Sequence, residues 1–298
     1  MTLPPSRTRR PALLIIGCGD IGMRVLRLMA PRWKVLALTS SRHRVAALRV
    51  AGATPLLGNL DAPASLGRLA SLADAVLHLA PPPGHGVHDT RTRNLLQALA
   101  RAGRVHTLVY ASTSGVYGDA QGAVFDETRP VRPATDRAVR RVDAEARVRA
   151  FGRRTGVCVS VLRIPGIYAA DREGGHPRDR LLRGTPVLAA ADDVHTNHIH
   201  ADDLARTCVA ALLRGAAQRI YHASDDTDLK MGDYFDLAAE LCGLPQPTRV
   251  TRAEAGQSLS PVMLSFMSES RRLVNQRLKT ELGLKLLYPT VREGLVGT

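Results

Sequence analysis

The chain has 298 residues, of which 45% are hydrophobic and 23% charged, a composition typical of a globular protein. No apolar run approaches the roughly 18 residues of a membrane span, and four cysteines without a C-x-x-C pair suggest neither a disulfide framework nor a zinc site. The net charge of +14 is carried mostly by arginines spread along the chain, and with 4% aromatic residues this argues against specific nucleic-acid binding.

The first part of the chain alternates apolar runs with amphipathic stretches. Residues 11–17 predict a buried strand, 21–32 a helix, 34–39 a second strand and 41–52 a second helix. Further strands are predicted at 53–58, 74–80, 107–112 and 157–164, with helices at 93–103 and 133–145. This alternation predicts an α/β fold, a Rossmann-type, doubly wound parallel sheet that is covered on both faces.

After residue 165 the alternation loosens. A segment with glycines and prolines, 164–179, precedes helices predicted at 202–215 and 231–243 and a returning strand at 219–224. We therefore predict a flexible basic N-terminus (1–10), a Rossmann domain (11–165) and a small C-terminal lobe (166–298) interleaved with returning strands. The apolar stretch behind the basic N-terminus is too short for a signal peptide, so we expect a cytoplasmic protein.

Residues 17–22, GCGDIG, match the pattern G-x-G-x-x-G. The pattern alone is weak, but here it follows a predicted strand and opens a predicted helix. In that context the glycines allow a tight turn, close approach of a diphosphate and close helix packing, and the helix N-terminus offers N–H groups to phosphates. The turn therefore predicts a dinucleotide site formed by Gly17, Gly19, Asp20, Ile21 and Gly22, with a plain strand–helix turn as the alternative.

The end of the second strand indicates which nicotinamide cofactor binds. An Asp or Glu at this point binds the ribose of NAD, whereas an arginine accommodates the 2′-phosphate of NADP. This chain has Ser40 and Arg42 there, with Arg44 close by and no acid. NADP is therefore preferred over NAD, unless Arg42 only decorates the start of a helix.

Three further segments follow the glycine turn in order: VYASTSGVYGD (109–119), RIPGIY (163–168) and NHIHADDLA (197–205). Together with the turn they resemble the extended short-chain dehydrogenase/reductase family, also called the NAD-dependent epimerase/dehydratase family, over nearly the whole chain. The resemblance implies a Rossmann fold with a C-terminal substrate lobe. It also implies hydride transfer to or from a nucleotide sugar or a related carbonyl compound.

The resemblance gives roles to individual residues. Thr113 stands where the family has a catalytic Ser or Thr that hydrogen-bonds the reacting carbonyl or alcohol, and Ser112 precedes it. Asn59 stands where relatives have an Asp that binds the adenine amino group, and an amide oxygen can accept that hydrogen bond as well. The other cofactor contacts that the resemblance implies are Leu60, Leu79, Ala80 and Pro81.

The family's Tyr-x-x-x-Lys pair is expected on the next helix, and this chain lacks it. If Glu145 is the Glu that relatives often carry four residues after the lysine, the two positions hold Arg137 and Arg141. A guanidinium stays protonated, so Arg137 cannot replace the tyrosine as general acid/base, although it could bind an anionic group. Arg141 could hold the ribose. The chain thus resembles an atypical member of the family.

The same helix has a simpler interpretation. Arg141–Glu145, Asp143–Arg147 and Glu145–Arg149 are i,i+4 pairs of opposite charge. On an exposed helix each pair contributes about 0.2–0.5 kcal/mol. A solvated helix of this kind needs no catalytic explanation.

If catalysis persists, another group must move the proton. Tyr117, Tyr168 and His176 lie in segments that flank the substrate cleft in relatives, and Tyr117 is the first candidate. The alternative for Tyr117 is a structural role, packed or hydrogen-bonded in the protein.

The stretch HTNHIH, 195–200, suggests a metal site at first sight. The resemblance instead implies a strand end leading into a helix with Asp202 or Asp203 at its N-cap. Asn197 and His198 are then expected to line the substrate cleft, and no metal site is predicted.

Two functions follow from these observations. The first is an NADP-preferring oxidoreductase or epimerase-like enzyme in which Thr113 orients a small-molecule substrate. The second is a catalytically silent NADP(H)-binding sensor or scaffold. A monomer or homodimer is expected, without specific nucleic-acid or membrane partners.

Overall fold

The structure is a computed structural model that describes residues 9–296. The predicted flexible segment 1–10 therefore lies outside the described residues, except for Arg9 and Arg10. The strands are β1 (Ala12–Ile16), β2 (Lys34–Thr39), β3 (Thr54–Leu57), β4 (Ala75–His78), β5 (Thr107–Thr113), β6 (Val124–Phe125), β7 (Cys158–Ile164), β8 (Gly166–Tyr168), β9 (Val187–Leu188), β10 (His195–Thr196), β11 (His198–His200), β12 (Arg219–His222), β13 (Leu229–Lys230), β14 (Arg249–Val250) and β15 (Arg272–Leu273).

The helices surround these strands, and two 3₁₀ helices, Pro63–Ser71 and Ser114–Tyr117, lie between them. The α-helices are α1 (Asp20–Met29), α2 (Arg44–Val50), α3 (Thr90–Leu99), α4 (Asp136–Thr155), α5 (Arg178–Leu182), α6 (Ala201–Arg214), α7 (Met231–Cys242), α8 (Arg252–Ser258), α9 (Pro261–Phe266), α10 (Gln276–Thr280) and α11 (Val291–Val296). No helix among residues 9–296 is both long enough and apolar enough to cross a membrane.

Seven strands form one parallel sheet in the order β12-β7-β5-β4-β1-β2-β3. Side chains of β1 alternate between its faces, as the period of two requires. Leu13 and Ile15 pack with α1 and α6 on one face, and Leu14 and Ile16 pack with α3 and α4 on the other. The predicted doubly wound α/β fold is confirmed, and its core lies on both sides of this sheet.

The start of α6 differs from the prediction. Its N-cap is His200, whose Nδ1 accepts a hydrogen bond of 3.2 Å from the backbone N–H of Asp202, so the prediction of Asp202 or Asp203 as N-cap was wrong. Asp203 is fully buried, and its carboxylate accepts hydrogen bonds from the backbone N–H groups of Leu287 and Tyr288. This acid therefore anchors the C-terminal segment rather than its own helix.

The C-terminal half has a second, smaller core. Tyr168, Val187, Phe235 and Leu295 belong to it, contributed by β8, β9, α7 and α11. Short two-stranded pairings, β8 with β11 and β9 with β14, lie beside it. Because β12 returns to the main sheet beside β7, this half of the chain stays attached to the strand ends of the Rossmann sheet.

Candidate functional site

The glycine turn lies at the carboxyl end of β1 and leads directly into α1. Gly17 has φ +83° and lies so close to the next strand that a Cβ there would be 2.6 Å from the backbone nitrogen of Ala80. A Cβ on Gly22 would be 3.2 Å from Cys18 Sγ, whereas a Cβ on Gly19 would meet nothing within 4 Å. The open space at Gly19 faces the N–H groups of the first turn of α1, so the turn fits a diphosphate.

A cavity of about 300 Å³ lies against this turn. It is lined by nine residues that the sequence predicted: Gly17, Gly19, Asp20, Ile21, Gly22, Leu79, Ser112, Thr113 and Arg141. Seven others line it as well: Ala111, Arg137, Ile164, Pro165, Ile167, Arg172 and Leu204. The fold thus brings together positions that lie almost two hundred residues apart.

The other predicted cofactor residues do not line this cavity, and they follow the neighbouring strands. Ser40 and Arg42 come after β2, Asn59 and Leu60 after β3, and Ala80 and Pro81 after β4. These strands lie next to β1 or one strand further, so their ends share its edge of the sheet. The residues therefore remain predictions for the adenosine half of the cofactor.

Two details of this edge change the expected contacts. The side-chain amide oxygen of Asn59, Oδ1, already accepts a hydrogen bond of 2.9 Å from the backbone N–H of Asp61. Arg42 is exposed, and Arg44 instead reaches the glycine turn, where its Nη2 donates to the Cys18 carbonyl at 2.7 Å. Arg44 thus joins α2 to the turn.

The two arginines at the expected Tyr and Lys positions lie in the first two turns of α4, beside the cavity. The helix starts at Asp136, with Thr135 as its N-cap. Arg141 Nη1 donates to the Ala111 carbonyl at 2.6 Å and to the Tyr110 hydroxyl at 3.0 Å, so this side chain is held against β5.

Arg137 differs from Arg141 in its partners. It has no hydrogen-bond or ion-pair partner within residues 9–296, and its guanidinium lies 5.7 Å from the centre of the Phe266 ring. Desolvation, with the nearby charge of Arg141, lowers the pKa of Arg137, and the charge of Glu269 opposes this shift. Where the family has its tyrosine, the cavity therefore contains a solvent-exposed cation without a direct protein partner among residues 9–296.

Glu145 of α4 forms a buried ion pair with β7 instead of the predicted pair with Arg141. Arg163 donates to its carboxylate from Nε at 3.1 Å and from Nη2 at 2.7 Å, and the Ser112 hydroxyl donates to it at 2.5 Å. The Arg163 and Glu145 side chains are only 5% and 6% exposed. The solvated-helix interpretation was therefore wrong for Glu145.

The other predicted pairs on α4 had different outcomes. Arg147 Nε lies 2.7 Å from Asp143 Oδ2, so the Asp143–Arg147 pair is confirmed. Glu145 is paired with Arg163 instead, and no ion pair joins it to Arg149 within residues 9–296.

Tyr117 lies in the protein core. Its hydroxyl accepts a hydrogen bond of 2.7 Å from Arg163 Nη1 and is 2.5 Å from His222 Nε2. His222 Nδ1 faces the Val274 carbonyl at 2.9 Å and must donate to it, so Nε2 accepts the Tyr117 proton. Burial raises the pKa of Tyr117 to about 12. Tyr117 is 1% exposed and does not line the cleft, which corrects its candidate role as proton donor.

A larger cavity of about 770 Å³ continues from the one at the glycine turn. The two share Thr113, Arg137, Pro165, Ile167 and Arg172, so they form one continuous cleft. Asn197 and His198 line the larger part, as predicted, and so do Tyr168 and His176. We call the whole space the cleft.

Tyr168 and His176 are limited as proton donors. The Tyr168 hydroxyl donates to the Thr290 carbonyl at 3.3 Å, and burial raises its pKa. His176 Nδ1 accepts a hydrogen bond of 3.0 Å from the backbone N–H of Arg178, and desolvation lowers the pKa of the ring. Neither side chain is therefore well suited to donate a proton at neutral pH.

The cleft is positively charged. Besides Arg137, four arginines line its larger part, Arg172, Arg180, Arg183 and Arg271, against two acids, Asp179 and Glu269. Arg271 pairs with Glu269 at 2.6 Å. Desolvation lowers the pKa of Arg180, which lies over the Phe235 ring, to about 10. The excess of cations favours an anionic ligand.

Sequence analysis did not identify Arg172, which lines the cavity at the glycine turn. Its loop is held by Arg24, which is buried in α1 and binds Asp20 at 3.1 Å, Asp202 at 2.5 Å and Asp171. Arg172 Nε lies 3.3 Å from Asp20 Oδ2. These contacts join segments distant in sequence, so no local pattern could reveal them.

The histidine-rich stretch has separate structural contacts. His200 caps α6, and His195 Nδ1 lies 3.2 Å from Asp228. In the part of the chain that the structure describes, no group of three or more His, Cys, Asp or Glu side chains could hold a metal ion.

Comparisons with known proteins agree with this architecture. The model of the NAD-dependent epimerase/dehydratase family matches residues 13–224. Protein YeeZ of Escherichia coli K12 is 25% identical over 285 residues, which cover 92% of this chain and 95% of YeeZ. A 3-diazoavenalumate denitrifying reductase of a Streptomyces species is 28% identical over 214 residues, 68% of each chain. The structure of a functionally unknown conserved protein from Silicibacter pomeroyi superposes with a TM-score of 0.79 at 31% identity, covering 96% of both chains.

Proposed function

The chain belongs to the NAD-dependent epimerase/dehydratase family, and on that premise we propose that it is an NAD(P)-dependent oxidoreductase acting by hydride transfer. The observation that supports the proposal best is that the cavity at the glycine turn and the larger cavity adjoin and share Thr113 among their lining residues. A nicotinamide ring bound there supplies or accepts the hydride. The larger cavity then holds the substrate.

We propose NADP as the preferred cofactor. No acid follows β2, and Arg42 is exposed and free to meet a 2′-phosphate, while Arg44 already binds the glycine turn. The open space at Gly19 takes the diphosphate, and Arg172 lines the same cavity. Arg141, held by the Ala111 carbonyl, keeps further N–H groups for the ribose.

Thr113 orients the substrate in this proposal. Its Oγ1 accepts a hydrogen bond of 3.2 Å from the backbone N–H of Gly115, so its own proton is left to donate to a carbonyl oxygen in the cleft. Arg137 cannot exchange a proton at neutral pH. The proton that accompanies the hydride therefore comes from water in the cleft, and the protein contributes mainly positioning and charge.

The substrate is an anionic carbonyl compound, either nucleotide-sugar-like or small. The excess of arginines in the cleft supports the charge, and the volume of about 770 Å³ accommodates either size. The Streptomyces relative supports the reductive direction, since it is named as a 3-diazoavenalumate denitrifying reductase.

A second candidate function is a catalytically silent NADP(H) sensor or scaffold. The observation in its favour is that the expected general acid/base is an arginine and that Tyr117 is buried away from the cleft. In that case the cofactor binds and the cleft performs no turnover.

One experiment separates the two. Calorimetry measures NADPH and NADH binding, and absorbance of the nicotinamide band is then followed with a panel of sugar nucleotides, keto acids and aldehydes. Substrate-dependent oxidation of NADPH supports the enzyme. Tight NADPH binding without turnover supports the sensor, and the absence of binding by both cofactors refutes both.

We propose the reducing cytoplasm as the location, because Cys18, Cys158, Cys208 and Cys242 are all unpaired. We also propose a monomer or a homodimer. Size-exclusion chromatography with light scattering tests the latter.

A further inference from the structure

On the basis of the proposed function, we propose that Arg137 is a specificity-determining residue. It binds a carboxylate of the substrate at the nicotinamide end of the cleft, and the body of that substrate is a flat, aromatic or conjugated group. The tyrosine position of the family has thus become an anion-binding position.

The first support is the location of Arg137. It lines both parts of the cleft, as does Thr113. A substrate whose carbonyl or other reacting group is close to Thr113 therefore has its neighbouring substituent within reach of this guanidinium. The planar fork of a guanidinium matches a carboxylate with two parallel N–H···O bonds.

The second support is the absence of a protein partner for this charge. Arg137 forms no hydrogen bond or ion pair within the described chain, and the acid whose charge acts on it, Glu269, is itself paired with Arg271 at 2.6 Å. Arg141 brings a second positive charge and is itself held by neutral oxygens of β5. Glu269 thus compensates Arg137 only in part, and within the described residues no side-chain anion is in direct contact with it.

The third support is the helix. Arg137 is the second residue of α4, where the helix dipole presents its positive end. A cation in the first helical turn is unfavourable, and acids are preferred there. Two arginines and the positive helix end therefore converge on one space, which a bound anion would stabilise.

The shape of the cleft suggests the body of the substrate. The Phe266 ring lies beside Arg137 at 5.7 Å. Further along the cleft, His198 and Tyr234 are stacked at 4.2 Å with an interplanar angle of 25°, and Phe235 lies next to Tyr234. Aromatic walls of this kind pack best against a flat group.

The test uses the full chain saturated with NADPH and three probes in calorimetry: trans-cinnamate, its neutral amide cinnamamide, and UDP. The variants are Arg137→Gln, which removes the charge, and Arg137→Lys, which keeps the charge and loses the fork. Arg153→Gln is the matched control, because Arg153 is an exposed arginine of the same helix away from the cleft. Far-UV circular dichroism and thermal unfolding establish that each variant is folded.

We expect wild type and Arg153→Gln to bind cinnamate at least about tenfold more tightly than cinnamamide. Arg137→Gln should bind the two equally, and Arg137→Lys should fall between. Equal binding of cinnamate and cinnamamide by wild type, binding of neither, or a preference that survives Arg137→Gln overturns the inference. A stronger effect of Arg137→Gln on UDP than on cinnamate also overturns it, in favour of a phosphate site.

Failure of the proposed function gives a different result. If the protein does not bind NADPH at all, the proposed function is refuted, and the same three probes with the cofactor-free protein still test Arg137. If NADPH binds and the carboxylate preference is absent, only the present inference fails.

Discussion

Gly19→Ala should separate folding from cofactor binding in this protein. A Cβ at this position meets no protein atom within 4 Å, and the φ of −80° is accessible to alanine. Alanine in place of glycine at a helix N-cap costs less than about 1 kcal/mol. The free energy of unfolding should therefore stay within about 1 kcal/mol of wild type.

The same methyl group occupies the open space that the structure leaves for a diphosphate. Overpacking of a close-fitting space typically costs about 1–3 kcal/mol. Since about 1.4 kcal/mol corresponds to a tenfold change in an equilibrium constant, NADPH affinity should fall roughly 5- to 150-fold. Calorimetry measures the affinity, and urea unfolding measures the stability.

Two other glycines serve as comparisons. Gly17→Ala places a Cβ 2.6 Å from Ala80 N at φ +83°, so it should destabilise the fold by about 1–2 kcal/mol or more. Gly256→Ala adds a methyl group in open space within α8 and should leave NADPH binding unchanged. The reasoning is refuted if Gly19→Ala binds NADPH within about twofold of wild type, or if it loses as much stability as Gly17→Ala.

Three further predictions concern the cofactor, the core and pH. Arg42→Ala should weaken NADPH binding about tenfold and leave NADH binding unchanged, and equal losses in calorimetry would contradict the assigned 2′-phosphate contact. Arg163→Met should lower the free energy of unfolding in urea by about 3–5 kcal/mol, because it leaves the Glu145 carboxylate buried without its cation. Arg147→Met removes the cation of a more exposed pair and should lower it by less than about 1 kcal/mol. Similar losses for the two variants would contradict this expectation. Burial lowers the pKa of His222 from 6.5 to about 4. As the pH falls, the unfolded chain therefore binds a proton at this residue before the folded protein does. The stability that His222 contributes above about pH 6.5 is thus lost as the pH falls towards 4. The difference between the free energies of unfolding in urea at about pH 7 and about pH 4.5 should be smaller for His222→Gln than for wild type. An unchanged difference would show that other groups cause the loss.

The sequence allowed most of the main sheet to be predicted because its signals are local. Buried parallel strands are continuous apolar runs, and helices between them show the period of 3.6 residues. The glycine turn was recognisable for the same reason, because its glycines occur at short, fixed spacing between a predicted strand and a predicted helix. Nine of the predicted site residues consequently line the cavity at that turn.

The errors concern side chains whose partners are distant in the sequence. Spacing along α4 paired Glu145 with Arg141, yet the face of a helix that is buried depends on the strand beneath it, here β7 with Arg163. The position of Tyr117 after the residues SGV suggested that its side chain lines the substrate cleft. Its hydroxyl instead forms hydrogen bonds with residues of β7 and β12. A buried polar group takes its hydrogen bonds from whichever element packs against it.

The amino-acid sequence by itself determined the order of strands and helices and the turn that is proposed to receive a diphosphate. It also determined that Arg137 and Arg141 stand at the family's Tyr and Lys positions. All three features depend on residue identity and short-range spacing. Only the tertiary structure decided that Arg141 is held by β5, that Arg137 has no hydrogen-bond or ion-pair partner within residues 9–296, and that Arg172 lines the cavity at the glycine turn. Charge compensation is a property of three-dimensional neighbours, and these come from loops and strands that the chain brings together only on folding.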